Sequence, residues 1–225
     1  MTQTAFDSLQ AILQARHSCR GFRPDPLDPA LVGQIVQAAQ QVPTWCNAQP
    51  WQVLVTAPAQ TAALSQALLE AVETESPAPD LEWPRQYTGP YQERRRTCGF
   101  QLYDAVGITR DDHAGRRAQM LQNYRFFGAP HVAIITSEAD LGPYGAMDCG
   151  GFVAAFTLAA QALGVATIAQ AAIAAYAPVL RKALPIGENR LILCAISLGL
   201  ADPDHPANGF RTDRAALEDV LHWIG

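Results

Sequence analysis

The chain of 225 residues lacks long hydrophobic runs: no segment approaches the roughly 18 consecutive apolar residues that mark a membrane-spanning helix. Its start, MTQTAFDSLQ, also lacks the basic and then apolar order of a secretory signal. We therefore expect a cytoplasmic protein with no membrane among its partners.

Positive charge is scarce as well. The formal net charge is −5, which argues against a nucleic-acid partner, because such proteins depend on broad basic surfaces. Only one of the 16 Lys and Arg residues is a lysine, Lys182. Basic residues that matter for function must therefore act locally, and nearly all of them are arginines.

Paired cysteines and glycine-rich phosphate motifs are also missing. The five cysteines are odd in number and scattered, with no CxxC pair, which argues against a disulfide framework or a zinc ribbon. The chain contains neither GxGxxG nor a P-loop. Any phosphate group must therefore be bound by side chains.

The residues that are present indicate one globular unit. Hydrophobic residues make up 49% and charged residues 16% of the chain, a composition typical of a folded domain. Apolar residues at helical spacing predict helices at 4–16, 28–42, 59–73, 91–106, 111–126, 146–163 and 177–183, and a last helix from 213. Apolar runs predict strands at 51–56, 131–136 and 190–200, and a buried turn or strand at 164–170. Few, widely spaced strands predict an α+β fold with helices around one modest sheet.

Helix-capping residues support several of these boundaries. Thr4 with Asp7 resembles a capping box, and Asp28 precedes a proline at the first helical position. Asp111 is predicted to cap the helix at 111–126, and Asp213 to cap the last helix, whose apolar face contains Leu217, Val220, Leu221 and Ile224. Residues 74–90 are rich in proline and predict a loop or lid.

The first candidate binding segment is RHSCR, residues 16–20, at the end of the first helix. Arg16 and Arg20 flank Ser18, and two planar guanidinium groups with a hydroxyl donor are well suited to bind a phosphate. Arginines at a helix C-terminus also complement the helix dipole, so the segment alone favours that structural explanation.

A second basic group lies in NGFRTDR, with Arg211 and Arg214. By itself it is more typical of a solvated turn before a capped helix. The two arginine groups gain functional meaning only if the fold brings them together.

The third segment is VPTWCNAQPW, residues 42–51, which is unusually rich for a helix-to-strand loop. Asn47 and Gln49 offer amide donors and acceptors that can read the edge of a planar heterocycle, and Trp45 or Trp51 can cover its face. Equally, Trp51 can be a core residue and the amides can satisfy the loop backbone.

These segments, taken in order, resemble the FMN-dependent nitroreductase family. The resemblance rests on RHSCRGF, PTWCNAQPW, a helix–Gly–strand segment and the C-terminal arginine group, and it covers nearly the whole chain. The segments that look most like its bacterial branch with nitrobenzoate and nitrobenzene reductases are RRRTCGFQLYDAVGITRDD, NYRFFGAPH, IAQAAI and GLADPDHPANGFRTDR. It implies one FMN-binding domain over 1–225, with a mostly antiparallel central sheet, a lid at about 74–118 and an intertwined homodimer.

The resemblance also implies roles for individual residues, in a reaction that the flavin N5 performs without a catalytic side chain or a metal. Arg16, Ser18 and the His17 backbone match the groups that hold the FMN phosphate and ribityl chain, with Arg214 and Arg211 at the far side of the phosphate. Arg20 matches a cation beside flavin N1 and O2, where it stabilises the reduced cofactor. The arm that reaches the partner subunit's flavin is matched by Pro43, Thr44, Trp45 and Asn47. The edge of the flavin ring is matched by Asn123, and the segment beside flavin N5 by Gln170, Ala171 and Ala172.

Two positions depart from the family pattern. Thr44–Trp45 stands where the family commonly has two small residues, so the indole can narrow the acceptor pocket or stack on a ligand. Ala169 replaces a frequent proline before Gln170. The predicted acceptor-binding residues are Trp45, Tyr87, Tyr91 and Arg95, the last within an arginine triplet that is otherwise typical of a solvated surface.

The implied activity is reduction of nitroaromatic or quinone-like acceptors by two-electron steps, with NADH or NADPH as electron donor. The alternatives are another flavin reaction on the same fold (dehalogenation, enone reduction or flavin breakdown), a flavin-storage protein, or a helical scaffold without a cofactor.

Three further groupings favour structural explanations. Asp202, Asp204 and His205 are interleaved with prolines and predict Asx-type turns rather than a metal site. The acidic residues at 111–112 open a helix, and Cys46 has no partner cysteine.

Overall fold

The computed structural model describes residues 4–225. Within this range the chain forms seven α-helices and four strands. The helices are α1 (Ala5–Ala15), α2 (Pro29–Ala39), α3 (Pro58–Thr74), α4 (Gly89–Ala105), α5 (His113–Leu121), α6 (Gly142–Ala162) and α7 (Ala177–Ala183). The strands are β1 (Gln52–Val55), β2 (His131–Glu138), β3 (Ala166–Gln170) and β4 (Arg190–Gly199). None of the helices in this range has the length and hydropathy that a membrane crossing requires.

The four strands form one antiparallel sheet in the order β1-β2-β4-β3. This confirms the predicted α+β architecture. β2 and β4 occupy the centre, with His131 opposite Leu198 at one end of the pair, and the register shifts between Ile135 and Thr136. The segment at 164–170, predicted as a turn or a strand, supplies edge strand β3.

Helices cover both faces of the sheet. Val132 and Ile134 of β2 belong to one buried cluster, which α3 and α7 complete through Leu64, Leu68 and Leu180. Ala133 and Ile135 point the other way, into a cluster completed by α2 and α6 through Ile35, Phe152 and Phe156. The alternation follows from the two-residue period of a strand, and it explains why β2 is apolar throughout rather than on one face.

Local capping sets several helix boundaries. The Thr4 side chain accepts a hydrogen bond from the Asp7 backbone N–H at 3.1 Å, and the Asp7 carboxylate accepts one from the Thr4 N–H at 3.0 Å, which confirms the predicted capping box. Asp28 caps α2 as predicted. The predicted cap of α5 was wrong by one residue: Asp112, not Asp111, accepts from the Gly115 N–H at 2.8 Å.

Some boundaries differ from the prediction because the pattern there was ambiguous. α6 begins at Gly142 rather than 146, since its first turns are exposed and carry little hydrophobic signal. α5 ends at Leu121 rather than 126, because the chain tightens into i→i−3 turns after it, such as the bond from the Asn123 N–H to the Met120 carbonyl. Phe126 and Phe127, each with a positive φ of 53°, then prevent any continuation of the helix.

The predicted helix after Asp213 is wrong. Only a short 3-10 turn, Leu217–Asp219, forms there, and Asp213 caps no helix. The apolar side chains of this tail remain exposed, with Trp223 89% and Ile224 95% accessible. The sequence pattern is amphipathic, as it is in α1, where Phe6, Leu9 and Leu13 are also exposed. However, α1 begins with the Thr4–Asp7 capping box, whereas the tail turn has no side-chain cap, and a short helix with neither a cap nor a packed face is not stable.

Candidate active site

The two arginine groups meet in one open cavity of about 530 Å³. Arg16 and Arg20 enter from the end of α1, and Arg211 and Arg214 from the segment after β4. The cavity is lined by Leu13, Gln14, Arg16, His17, Ser18, Arg20, Cys98, Phe210, Arg211, Thr212 and Arg214. The fold thus brings together two arginine groups about 190 residues apart in the chain. This contact is what a functional role for either group requires.

The cavity has strong positive potential. Burial lowers the pKa of Arg16, and the nearby Arg214 guanidinium lowers it further. Burial also lowers the pKa of Arg20 and of His17, with Arg211 among the charges that act on His17. Among residues 4–225, no carboxylate forms an ion pair with any of these four arginines. Crowded, unneutralised guanidinium groups beside a hydroxyl fit a phosphate, whose charge and acceptor oxygens would satisfy them.

Asn208 joins the two segments that line this cavity. Its Oδ1 accepts from the Arg20 backbone N–H at 2.7 Å, and its Nδ2 donates to the carbonyl oxygens of Gly21 and Asp202, each at 2.9 Å. The Arg20 guanidinium also lies over the Phe210 ring, 5.7 Å from its centroid. Sequence reasoning did not identify Asn208 or Phe210, because their partners lie far away in the chain.

Strand β3 holds the other side of the RHSCR segment. Ser18 pairs with Thr167 in a parallel bridge, and the Cys19 N–H donates to the Thr167 carbonyl at 3.0 Å. The fully buried Cys19 therefore anchors a stretch whose neighbours on both sides face the cavity.

A second cavity, of about 340 Å³, adjoins the first and shares Arg20 with it. It is lined by Arg20, Leu102, Tyr103, Gln119, Met120, Asn123, Phe127, Ile168, Ala169, Gln170, Ala171 and Ala172. Arg20, Asn123 and the 170–172 segment, which the sequence interpretation grouped around a flavin ring, therefore line one space.

The Gln170 side chain is turned away from this space into a buried network. Its Nε2 donates to the Asn123 carbonyl at 2.9 Å, and its Oε1 accepts from the Ser197 hydroxyl of β4. Gln170 is 3% exposed and Ser197 is fully buried. Residue 170 therefore offers mainly its backbone to the cavity, while its side chain fixes Asn123. Ser197 carried no signal in the sequence, because it is one small residue within an apolar strand.

Ser197→Ala is expected to destabilise the protein by about 1–3 kcal/mol, because the buried Oε1 of Gln170 loses its donor. Urea unfolding measures the change. Ser76→Ala, at an exposed loop serine, is the control and should shift stability by less than about 0.5 kcal/mol. Equal unfolding midpoints for the two variants would show that the hydrogen bond from Ser197 to Gln170 does not stabilise the folded protein.

Pro43, Thr44, Trp45 and Asn47 line neither cavity. Trp45 is 63% exposed at the start of a 3-10 turn, Trp45–Asn47. Within and after this turn, Cys46, Asn47 and Gln49 adopt φ of 51°, 55° and 47°. Left-handed conformations in residues other than glycine cost about 1–3 kcal/mol each and are found where surrounding contacts enforce them. Trp51, by contrast, is a core residue.

The predicted acceptor-binding residues Tyr87, Tyr91 and Arg95 also lie outside both cavities. Tyr91 and Arg95 are exposed on α4, and the Arg95 guanidinium lies 5.3 Å from the centroid of the Tyr87 ring in the preceding loop. Farther along α4, Cys98 lines the first cavity and Leu102 the second, so α4 forms one wall of the combined site.

The side chains of the acidic turn at 202–205 form hydrogen bonds with the local backbone. Asp202 Oδ1 accepts from the Asp204 N–H at 3.1 Å, and His205 Nδ1 accepts from the Ala207 N–H at 3.3 Å. These bonds confirm the turn interpretation for this segment.

Sequence comparison connects this geometry to known proteins. A sequence model of the Nitroreductase family matches residues 13–200. The chain belongs to the nitroreductase family. The predicted family resemblance is therefore confirmed.

Individual nitroreductases resemble the chain over almost its full length. The 4-nitrobenzoate reductase of Pseudomonas putida is 30% identical over 219 residues, which is 97% of this chain and 96% of that protein. Nitroreductase NfnB of Mycolicibacterium smegmatis is 34% identical over 215 residues, 95% of this chain and 92% of NfnB.

Solved nitroreductase structures confirm the fold. The FMN-dependent NfnB of Mycobacterium smegmatis, crystallised in complex with NADPH, superposes with a TM-score of 0.94 at 32% identity, over 99% of this chain and 100% of that one. The FMN- and NADPH-dependent NfnB of Sphigopyxis sp. strain HMH gives 0.92 at 33% identity, over 96% and 99%.

Proposed function

We propose that this protein is an FMN-dependent NAD(P)H oxidoreductase that reduces nitroaromatic or quinone-like acceptors by two-electron steps, as a cytoplasmic homodimer. The observation that carries the proposal is the convergence of four arginines, free of carboxylate partners among residues 4–225, on a cavity that continues past Arg20 into a second one. The cofactors of the NfnB relatives, FMN and NADPH, support the same assignment.

The donor set suits the two ends of FMN. Arg16, Ser18, Arg211 and Arg214 would hold the phosphate and ribityl chain with the His17 backbone, because they line the first cavity and the three arginines form no ion pair within residues 4–225. Asn123 and the backbone of residues 170–172 would border the ring system in the second cavity. When bound, FMN supplies hydride acceptance from NAD(P)H and two-electron transfer to the acceptor.

Arg20 is the electrostatic link between the two cavities. Its guanidinium is held by the Ser18 carbonyl at 3.3 Å and by the Phe210 ring, and its backbone by Asn208. Burial lowers its pKa, but an arginine remains cationic at neutral pH. A fixed, partly desolvated cation at this place favours negative charge on the adjacent edge of a reduced cofactor, which assists hydride uptake without a protein acid.

A homodimer accounts for the exposed segments of the single chain. Pro43, Thr44, Trp45 and Asn47 form an arm that would reach the cofactor held mainly by the partner subunit. The apolar tail after Arg214 would pack on the partner, since its large apolar side chains are 44–95% exposed on the single chain. Residues 1–225 would act as one FMN-binding domain, with 74–118 as a lid that presents Tyr87, Tyr91 and Arg95, together with Trp45, to the acceptor.

An anaerobic spectroscopic experiment tests the activity. The purified chain, reconstituted with FMN, is expected to lose flavin absorbance on addition of NADPH or NADH and to regain it on addition of nitrobenzene. A protein that takes up no FMN would contradict the whole proposal. A protein that is bleached but regains colour with neither a nitroaromatic nor a quinone would instead be a flavin-storage protein or an enzyme for another acceptor.

A further inference from the structure

One stripe of α6 holds the arm and the start of β1 at three points. Tyr144, Asp148 and Phe152 are spaced four residues apart and therefore lie on one face of the helix. The Tyr144 ring packs against Trp45 with centroids 4.8 Å apart, and the Phe152 ring stacks on Trp51 at 5.0 Å. Between them, both carboxylate oxygens of Asp148 accept from the Trp45 backbone N–H at 3.2 Å.

The other hydrogen bonds of the arm are local. The Gln49 N–H donates to Thr44 Oγ1 at 3.2 Å, and the Gln49 side chain donates to Asn47. These bonds shape the turn but do not orient it on the protein. The next tether lies beyond the turn, where the Arg190 guanidinium donates to the Pro50 carbonyl at 2.6 Å. Among residues 4–225, Asp148 enters no ion pair, so its carboxylate is committed to the Trp45 backbone.

These contacts hold Trp45 in a defined position although its side chain is exposed. The left-handed residues of the turn, Cys46 and Asn47, and Gln49 just after it persist only where surrounding contacts enforce them. The Asp148 carboxylate fixes its first backbone N–H, and the half-exposed Tyr144 ring supports its indole from one side. The Trp45 and Tyr144 rings together form an exposed aromatic wall.

We propose that Asp148 and Tyr144 are positioning residues for the arm, and that the Trp45–Tyr144 wall selects flat aromatic acceptors at the partner subunit's site. This inference rests on the proposed function, in which the arm reaches the partner's cofactor. Displacing a wall by about 1 Å is enough to lower turnover by an order of magnitude or more for an acceptor that must stack, whereas a small inorganic acceptor needs no wall.

The test combines a measurement without cofactor and one with it. In 5-fluorotryptophan-labelled protein, the ¹⁹F resonance of Trp45, identified by its loss in Trp45→Phe, is expected to move toward the free-indole value in Asp148→Ala and in Tyr144→Leu. The resonance of buried Trp51 should stay in place, which controls for misfolding. Asp148→Asn keeps an acceptor oxygen and should restore the Trp45 resonance, and Asp140→Ala, at an exposed acid before α6, is the matched control.

The second measurement follows reoxidation of NADPH-reduced, FMN-loaded protein. Asp148→Ala is expected to slow reoxidation by nitrobenzene about tenfold and to leave reoxidation by ferricyanide unchanged. An unmoved Trp45 resonance in Asp148→Ala, or equal slowing of its reoxidation by both acceptors, would overturn the positioning role. Turnover by the wild-type protein would then still support the proposed function. A wild-type protein that failed to bind FMN would overturn the acceptor-selecting wall together with the proposed function, whatever the resonance showed.

Discussion

Arg16→Ala is expected to yield largely apo protein. Arg16 lies half-buried at the end of α1, beside Arg214, and burial and that neighbour both lower its pKa. Removing one partner of a desolvated charge pair costs about 2–5 kcal/mol, so we expect FMN affinity to fall by roughly 30-fold or more. The ratio of flavin to protein absorbance after purification and desalting measures the effect.

The matched control for this variant is Arg23→Ala. Arg23 is also an arginine of the N-terminal segment, but it is exposed, pairs with Asp25 at 3.1 Å and lines neither cavity. An exposed pair of this kind contributes at most about 1 kcal/mol, so flavin content should equal that of the wild type. Normal flavin occupancy in Arg16→Ala, or an equal loss in both variants, would show that the phosphate is held elsewhere.

Removal of the last ten residues, by a stop after Ala215, is expected to convert the proposed homodimer to a monomer. The deleted stretch exposes five large apolar side chains on the single chain: Leu217, Val220, Leu221, Trp223 and Ile224. Each contributes about 1.5–3 kcal/mol when fully buried, and a symmetric dimer loses them twice. We therefore expect the dissociation constant to rise by at least about a thousandfold, allowing for incomplete burial.

Sedimentation equilibrium measures this change against the chain mass of 24.3 kDa. Arg214 remains in the shortened chain, so a loss of flavin there would follow from the lost partner arm rather than from the clamp. Glu218→Ala, a polar change within the same tail, should leave the dimer unchanged. A shortened chain that sediments as the wild type does would contradict the assigned role of the tail.

Much of the fold could be predicted because local signals and tertiary packing agree. The Asp28 cap with its following proline and the apolar runs of β2 and β4 lead to the observed elements. In the tail, the local signal and the packing disagree. Its apolar pattern resembles that of α1, but the tail turn lacks the capping bonds that start α1, and its large apolar side chains stay exposed.

The residues of the candidate site also fall into two groups, those that could be selected from the sequence and those that could not. Arg16 and Arg214 could be selected only through the family resemblance, which assigns both of them to the FMN phosphate, because each arginine group taken alone favours a structural explanation. Asn208 and Ser197 could not, since each acts through partners 188 and 27 residues away that only the fold brings near. Asp148 was hidden for the same reason: its partner is a backbone N–H 103 residues away, which no side-chain motif reveals.

The most direct test of the central claim, that converging arginines hold the phosphate of a flavin, compares two ligands on one protein. Apo wild-type protein is titrated with FMN and with riboflavin, which lacks only the phosphate, and flavin fluorescence is followed. We expect one FMN to bind per chain, and riboflavin to bind about 30-fold more weakly or worse. Equal affinity for the two flavins would contradict the phosphate clamp.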